Sequence, residues 1–212
     1  MEEFVDALRA GLGGPDPLFP ELIGIDLDLR DADISAAPME NALLNSSRLD
    51  GVVARDASLA GAELGYATLS GADFSGATLY QADLHHATAR AAVFRAANLA
   101  RLNADDADLR DADLTGALLV RARFVGADLR GADLRGSDLG DWIDLRTAKV
   151  ARTRFDGLVG VVRGPVDVGD SGRPHLLDGP ELTAWFRDHD APGLTVAGVG
   201  PPPSQDQTGA AG

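Results

Sequence analysis

The side chains able to do chemistry are few and poorly grouped. The 212 residues include no cysteine and only four histidines, which removes disulfides, thiolate metal sites and a cysteine nucleophile. His85 and His86 are adjacent at a position that the pattern described below makes a corner. Consecutive side chains diverge there, so exposed corner residues are a plainer reading than a pair of metal ligands. His175 and His189 have no partner at ligand spacing. The glycine-rich run AGLGGP at residues 10–15 is preceded by no strand pattern and followed by no Lys-Ser/Thr, so it does not make a phosphate loop. What the chain offers in quantity is carboxylate placed directly before a large apolar residue: Asp28, Asp33, Glu63, Asp73, Asp83, Asp108, Asp113, Asp128 and Asp133. One such aspartate most simply bonds to nearby backbone at a turn. Many of them together could also build a negative field. No nucleophile, base or metal cluster emerges, so the reading is of a protein that is not an enzyme and holds no cofactor or metal.

These carboxylates are spaced by a repeat, visible at its plainest in GADLRGADLRGSDLG, residues 126–140. Stepping by five from Leu29 to Leu139 visits 23 positions, all apolar: 15 Leu, three Phe, one Ile, one Met and three Ala. Two residues before each, Ala stands at 18 of the 23. After a slip of one residue between Gly140 and Asp144 the beat resumes at Leu145, Val150 and Phe155, giving 26 repeats. A period of five fits neither a helix nor one continuous strand. In a short extended segment, residues two apart face the same way, so the Ala and Leu of A-D-L point inward and the Asp outward. The two remaining residues, often Gly, Arg, Ser or Asp, turn the corner. Repetition winds the chain into a stacked coil filled by Leu columns, with small Ala letting the narrow core close. Ala54, Ala89 and Ala104 depart from the large position and Leu27, Val52 and Leu102 from the small one; Leu102 beside Ala104 conserves volume within one repeat.

The A-[DN]-[LF]-x-x signature over about residues 27–157 resembles the pentapeptide-repeat family. That resemblance implies an all-β fold, a right-handed quadrilateral parallel β-helix with four repeats per coil. With four, Phe74 and Phe94 stack in adjacent coils, and Asp108 and Asp113 lie beside Asp128 and Asp133. Like-charge rows of this kind are costly unless relieved, and Arg110, Arg130 and Arg135 stand where they can screen them.

The ends read differently. Residues 1–20 combine EEFVDALRAGL, with Phe4, Val5, Leu8 and Leu12 at helical spacing, and a Pro/Gly connection, an expected N-terminal capping helix. The repeats occupy 21–157. Within 158–198, VVRGPVDVGDSGRPHLL reads as loop with short apolar runs, and DGPELTAWFRDHDAPG as a helix with Asp178 as N-cap and Glu181 three residues on. Residues 199–212, VGPPPSQDQTGAAG, lack core residues and read as a disordered tail. Trp185 and Phe186 either plug the last coil or, with Leu182, Leu194 and Val196, meet their own copies across a two-fold axis. The stretch resembles the C-terminal ending of MfpA and Qnr members of the family, which implies a homodimer joined through its C-termini.

Charge bounds the partner. The formal net charge is −14, and only Lys149 among the 19 basic residues is lysine. This argues against direct nucleic-acid binding, which needs positive countercharge. No segment resembles a bilayer span or a basic signal sequence, so a cytoplasmic protein without membrane contact is expected. Residues 21–87 hold 11 acids against 3 bases, net −8, whereas 88–157 hold 11 against 12, net +1. A solvated acidic surface and a surface for a basic protein both fit. The resemblance to the topoisomerase-interacting members MfpA, Qnr and AlbG implies the second: a DNA-mimicking rod that binds DNA gyrase and modulates it or protects it from quinolones or other poisons. A generic scaffold for another basic or regulatory protein is the alternative.

Overall fold

The computed structural model describes residues 26–170 and 173–197. The expected N-terminal capping helix and the 199–212 tail therefore lie outside the described residues.

One conformational requirement recurs at every corner. From Asp26 to Gly136 each fifth residue has a positive φ, and Thr147, Arg152 and Gly157 continue the series, all between 51° and 77°. From Asp31 on, the residue after each of them donates its N–H across the turn to the carbonyl two residues before the positive-φ position, as where Ala32 N–H donates to Leu29 O at 3.0 Å or Ala62 N–H to Leu59 O at 3.0 Å. Positive φ at the third residue of such a turn makes it type II, which favours glycine or asparagine there. Gly51, Gly61, Gly76, Gly126 and Gly131 fill the position where the neighbouring coil carries Asp31, Asn41, Asp56, Asp106 and Asp111, and a Cβ on each would overlap that residue's Oδ1. Glycine at these corners thus serves both the backbone angle and the close approach of the next coil.

Between corners run three extended residues whose middle member pairs in parallel with the residue 20 positions on: Asp28 with Arg48, Asp33 with Val53, Pro38 with Ser58, Leu43 with Glu63, and so on up the stack. Four pentapeptides therefore make one turn, a number the five-residue period alone leaves open. The spacing widens to 21 where Arg123, Asp128 and Asp133 pair with Asp144, Lys149 and Arg154, because the extra residue near Gly140 is absorbed in one corner. There Gly140 has a φ of 55° and faces Val120 closely, and Trp142 lies beneath the Arg163 guanidinium at 3.9 Å.

The inward residues of each segment form one continuous core. The Leu column and the Ala column are buried almost throughout. Phe74 and Phe94 stack with centroids 5.4 Å apart and planes 7° from parallel. Among the described residues, no buried side-chain nitrogen or oxygen lacks a hydrogen-bond partner. Ser47 and Thr153, which stand in the Ala column, are satisfied by Leu27 N–H and Leu129 O respectively.

Beyond the repeats the sequence changes but the stacking does not. Strand β1 (Ile143–Asp144) pairs in parallel with β2 (Val159–Arg163), which pairs in parallel with β5 (Gly193–Ala197). A small antiparallel pair, β3 (Val166–Asp167) with β4 (Leu176–Leu177), leads into α1 (Gly179–Asp188). Asp178 caps α1 through Gly179 N–H at 2.8 Å, as its place in the sequence suggested. Leu182 and Phe186 face the coil, and Phe186 meets the Phe155 ring edge-on at 5.3 Å. The helix is the lid of the core's C-terminal opening.

Removing a stacked core ring leaves a void that the surrounding coils cannot fill. Phe74→Ala is expected to cost about 3–5 kcal/mol in urea unfolding. Gly131→Ala should cost about 1–2 kcal/mol from the left-handed angle alone, and a larger loss would report the crowding against Asp111.

Candidate functional site

With the interior filled, whatever the molecule does is done by outward side chains, and the first question is what each carboxylate already holds. Within a repeat, four of the five backbone N–H groups find backbone acceptors. In the first described repeat these are Arg48 O for Leu29, Asp50 O for Asp31 and Leu29 O for Ala32, with Leu27 O taking Arg48 N–H from the coil above. The N–H just after the large apolar residue has none. The aspartate of the motif accepts it: Asp33 from Ser35 at 3.0 Å, Asp73 from Ser75 at 3.0 Å, Asp83 from His85 at 3.0 Å, Asp113 from Thr115 at 3.0 Å and Asp133 from Arg135 at 3.1 Å. This is a local Asx cap. Where Thr68 and Arg123 take the motif position, Asp50 and Asp105 on the neighbouring coil accept from Ser70 and Val125 instead. These two substitutes were not singled out from the sequence; an acid 20 residues before the uncapped N–H was their signal.

A second layer of partners divides the acidic residues. In the D-L-R triplets at Asp28, Asp108, Asp128, Asp133 and Asp144, the following arginine folds back and donates from Nε and Nη2 to the aspartate. Arginines one coil away add to this: Arg48 at Asp28, Arg55 at Asp73, Arg90 at Asp108, Arg95 at Asp113 and Arg154 at Asp133. Asp108 does pair with Asp128, and Asp113 with Asp133, on adjacent coils, and Arg110 lies within 3.8 Å of Asp128 while holding Asp108. Among the described residues, by contrast, Asp33, Glu63 and Asp83 have no arginine or lysine ion pair. Glu63 accepts from Asn45 at 2.8 Å, and Asp83 from Asn103 at 2.9 Å with His85 Nδ1 3.0 Å away.

The ionisation of the held carboxylates follows from these partners. Arginine hydrogen bonds push Asp28, Asp108 and Asp133 below the ordinary carboxylate range, led by Arg30, Arg110 and Arg135. Ser35 does the same for Asp33. For Asp73, Asp113 and Asp128 partial burial is the largest influence and acts upward, but bonds from Ser75, Thr115 and Arg130 outweigh it, and the net shift is down.

Of the residues proposed for a C-terminal interface, Leu182, Phe186 and Leu194 are buried in the chain's own core, while Trp185 and Val196 remain half-buried. Trp185 stacks on His189 at 4.0 Å and packs edge-on against Phe186. His175 is exposed and far from any ligand set; among the described residues no group of His, Cys, Asp or Glu is placed to hold a metal ion. No helix among them is long and apolar enough to cross a membrane.

A filled repeat solenoid with a capped and arginine-clamped exterior is the class these features define. The family model of pentapeptide repeats matches in eight copies over residues 39–76, 77–116 and 107–141, so residues 39–141 of the chain are pentapeptide repeats of this family. No curated protein matches the chain. Among solved structures it is similar to HetL, a pentapeptide repeat protein involved in heterocyst differentiation regulation from the cyanobacterium Nostoc sp. strain PCC 7120. That match has 24% identity over 79% of this chain and 78% of the other, with a TM-score of 0.41. It is also similar to a trypsin-treated variant of QnrB1, a plasmid-mediated fluoroquinolone resistance protein. Here identity is 16% over 84% and 91%, with a TM-score of 0.39.

A carboxylate whose folded value lies below its unfolded one stabilises the fold above the unfolded value and loses that contribution as pH falls through the folded one. Seven aspartates share this sign. Thermal melts should therefore be level from neutral pH to about pH 5 and fall progressively below it. Asp108→Asn should lower the plateau and make the acid limb shallower, read by circular dichroism over a pH series.

Proposed function

We propose that the protein is a non-catalytic, DNA-mimicking ligand of DNA gyrase, which it modulates or protects from quinolones or other poisons. The observation that carries this reading is the division of the outward carboxylates. The coils up to residue 87 hold a net −8, and three of their motif acids, Asp33, Glu63 and Asp83, lack an arginine or lysine partner among the described residues. Carboxylates without such partners project a field that a basic groove can neutralise. The bridged levels from Asp28 to Asp167 are eight, which at about 4.8 Å per coil makes a rod roughly 34 Å long. Two such rods joined end to end would match a DNA segment of about 20 base pairs at 3.4 Å per step. The resemblance of the C-terminal ending to MfpA and Qnr supports the join. Trp185, Val196 and the exposed Val159 of β2 and Leu176 of β4 are apolar surface left at this end of the chain. The arginine-neutralised coils from residue 88 onward favour a second reading, a scaffold for a different basic or regulatory protein.

Purified protein added to a gyrase supercoiling assay should inhibit supercoiling, or restore it in the presence of a quinolone, at micromolar concentration; neither effect would favour the scaffold. The triple change Asp33→Asn, Glu63→Gln and Asp83→Asn should weaken the effect roughly tenfold, at about 0.5 kcal/mol for each exposed contact. In sedimentation the native chain should run as a dimer, and Val159→Asp should shift it towards monomer.

A further inference from the structure

One corner of the solenoid departs from the pattern of small and charged residues. Its left-handed positions, read up the stack, are Asp26, Ser46, Tyr66, His86, Asp106 and Gly126. Tyr66 and His86 place rings at φ values of 60° and 55°, where glycine is common elsewhere on the rod. Tyr66 is 59% exposed, the one aromatic among the exposed large hydrophobic residues described. It is also fixed. Its ring stacks on His86 at 5.0 Å with planes 23° apart and meets His85 edge-on at 5.0 Å. His85 in turn lies over Gly65, where any Cβ would overlap its imidazole, and its Nδ1 is held 3.0 Å from Asp83 Oδ1. Gly65 has no unusual φ, so what it supplies here is space.

The surroundings are negative. Glu63 and Asp83 flank the corner on the adjoining face, and Asp106 follows His86, whose Nε2 is 4.0 Å from its Oδ2. The corner pairs 45/46, 65/66, 85/86 and 105/106 contain no lysine or arginine. Of the guanidinium groups near this side of the rod, that of Arg123 is bound to Asp105 and that of Arg48 reaches Asp28 at 3.1 Å. On the side of Tyr66 away from His86 the same corner carries Ser46, too small to cover a ring.

We infer that the Tyr66 ledge is a docking point for an arginine side chain of a basic protein partner, the guanidinium lying on the open face of Tyr66 and its N–H groups directed at Glu63 and the neighbouring carboxylates. The assignment deepens the acidic-surface reading and rests on it for the partner's basic character. An arginine fits better than a lysine because a planar, weakly hydrated guanidinium stacks on an aromatic face and still donates sideways, whereas an ammonium acts as a hydrated point charge. A simple negative field would not distinguish the two.

That difference is the test. Two fluorescent nonapeptides, each carrying three arginines or three lysines among glycines and serines, are titrated with full-length protein and followed by anisotropy. The arginine peptide should bind about three- to fivefold tighter. Tyr66→Ala should bring the two together without changing net charge, and Tyr66→Phe should keep the difference. Gly65→Ala, which displaces His85, should reduce it. Equal affinities for the native protein, no measurable binding of either peptide, or a difference that survives Tyr66→Ala would each overturn the assignment. Gyrase inhibition that persists while the arginine preference is absent would remove the ledge and leave the proposed function standing. An arginine preference abolished by Tyr66→Ala in a protein without effect on gyrase would do the reverse.

Discussion

A left-handed residue at every fifth position is the constraint on which the structure depends. It allows a type II turn to redirect the chain after only three extended residues, and four such turns close a coil that returns 20 residues later in register with itself. From that closure the rest follows. The outer two residues of each three-residue extended segment must point inward, so Leu and Ala columns fill the axis and leave no room for a cleft. The middle residue must point outward, so the exterior is written one side chain at a time. Non-glycine residues accept the left-handed angle at a cost of about 1–2 kcal/mol each, offset here by the inter-coil bonds that the corner N–H groups from Asp26 to Gly131 make, such as Asp31 to Asp50 O and Tyr66 to His85 O.

The same turn leaves one N–H without a backbone acceptor, and this decides the character of the surface. An aspartate placed to cap that N–H is committed to the fold before it is available to a partner. Where an arginine follows two residues later, its second oxygen is committed as well, and the pair projects little field. Asp108, Asp128 and Asp133 belong to that group, and Asp113 is held in the same way by Arg95 from the neighbouring coil; Asp33, Glu63 and Asp83 have neither. A count of acidic residues therefore overstates the negative surface of the later coils more than that of the earlier ones, where Asp28 and Asp73 are held by arginine but Asp33, Glu63 and Asp83 are not.

Much of this was legible in the sequence because a strict period transmits one local solution along the chain. The inward columns, the outward aspartates, the Phe74–Phe94 stack and the screening by Arg110, Arg130 and Arg135 all follow from the beat once four repeats make a turn. The turn count was not legible, since five residues describe one corner and not how many close the ring. The continuation of the coil through β2 and β5 was hidden for a related reason: Val159–Arg163 and Gly193–Ala197 pair by backbone bonds and carry no pentapeptide signature. Phe186 and Leu194 had two open readings because an apolar helix face looks alike whether it covers its own core or a second copy. The Tyr66 ledge was invisible because Gly65, His85 and Asp83 are 18 to 20 residues apart or split across a corner, and only the stacking of coils brings them together.

Periodicity also sets a functional problem. A rod whose charge repeats every coil can slide by one coil at small electrostatic cost, because each carboxylate meets an equivalent site about 4.8 Å away. Field alone therefore gives attraction without register. Defects in the repeat supply the missing information, and the exterior has few: the widened corner at Gly140–Trp142 and the paired rings at Tyr66 and His86. The first is closed by Arg163 over Trp142 and by the bond from Arg121 N–H to Trp142 O. The second keeps an open face within the acidic half. A partner that recognises the field gains affinity anywhere along these coils, but one that also stacks on Tyr66 is held at a single axial position.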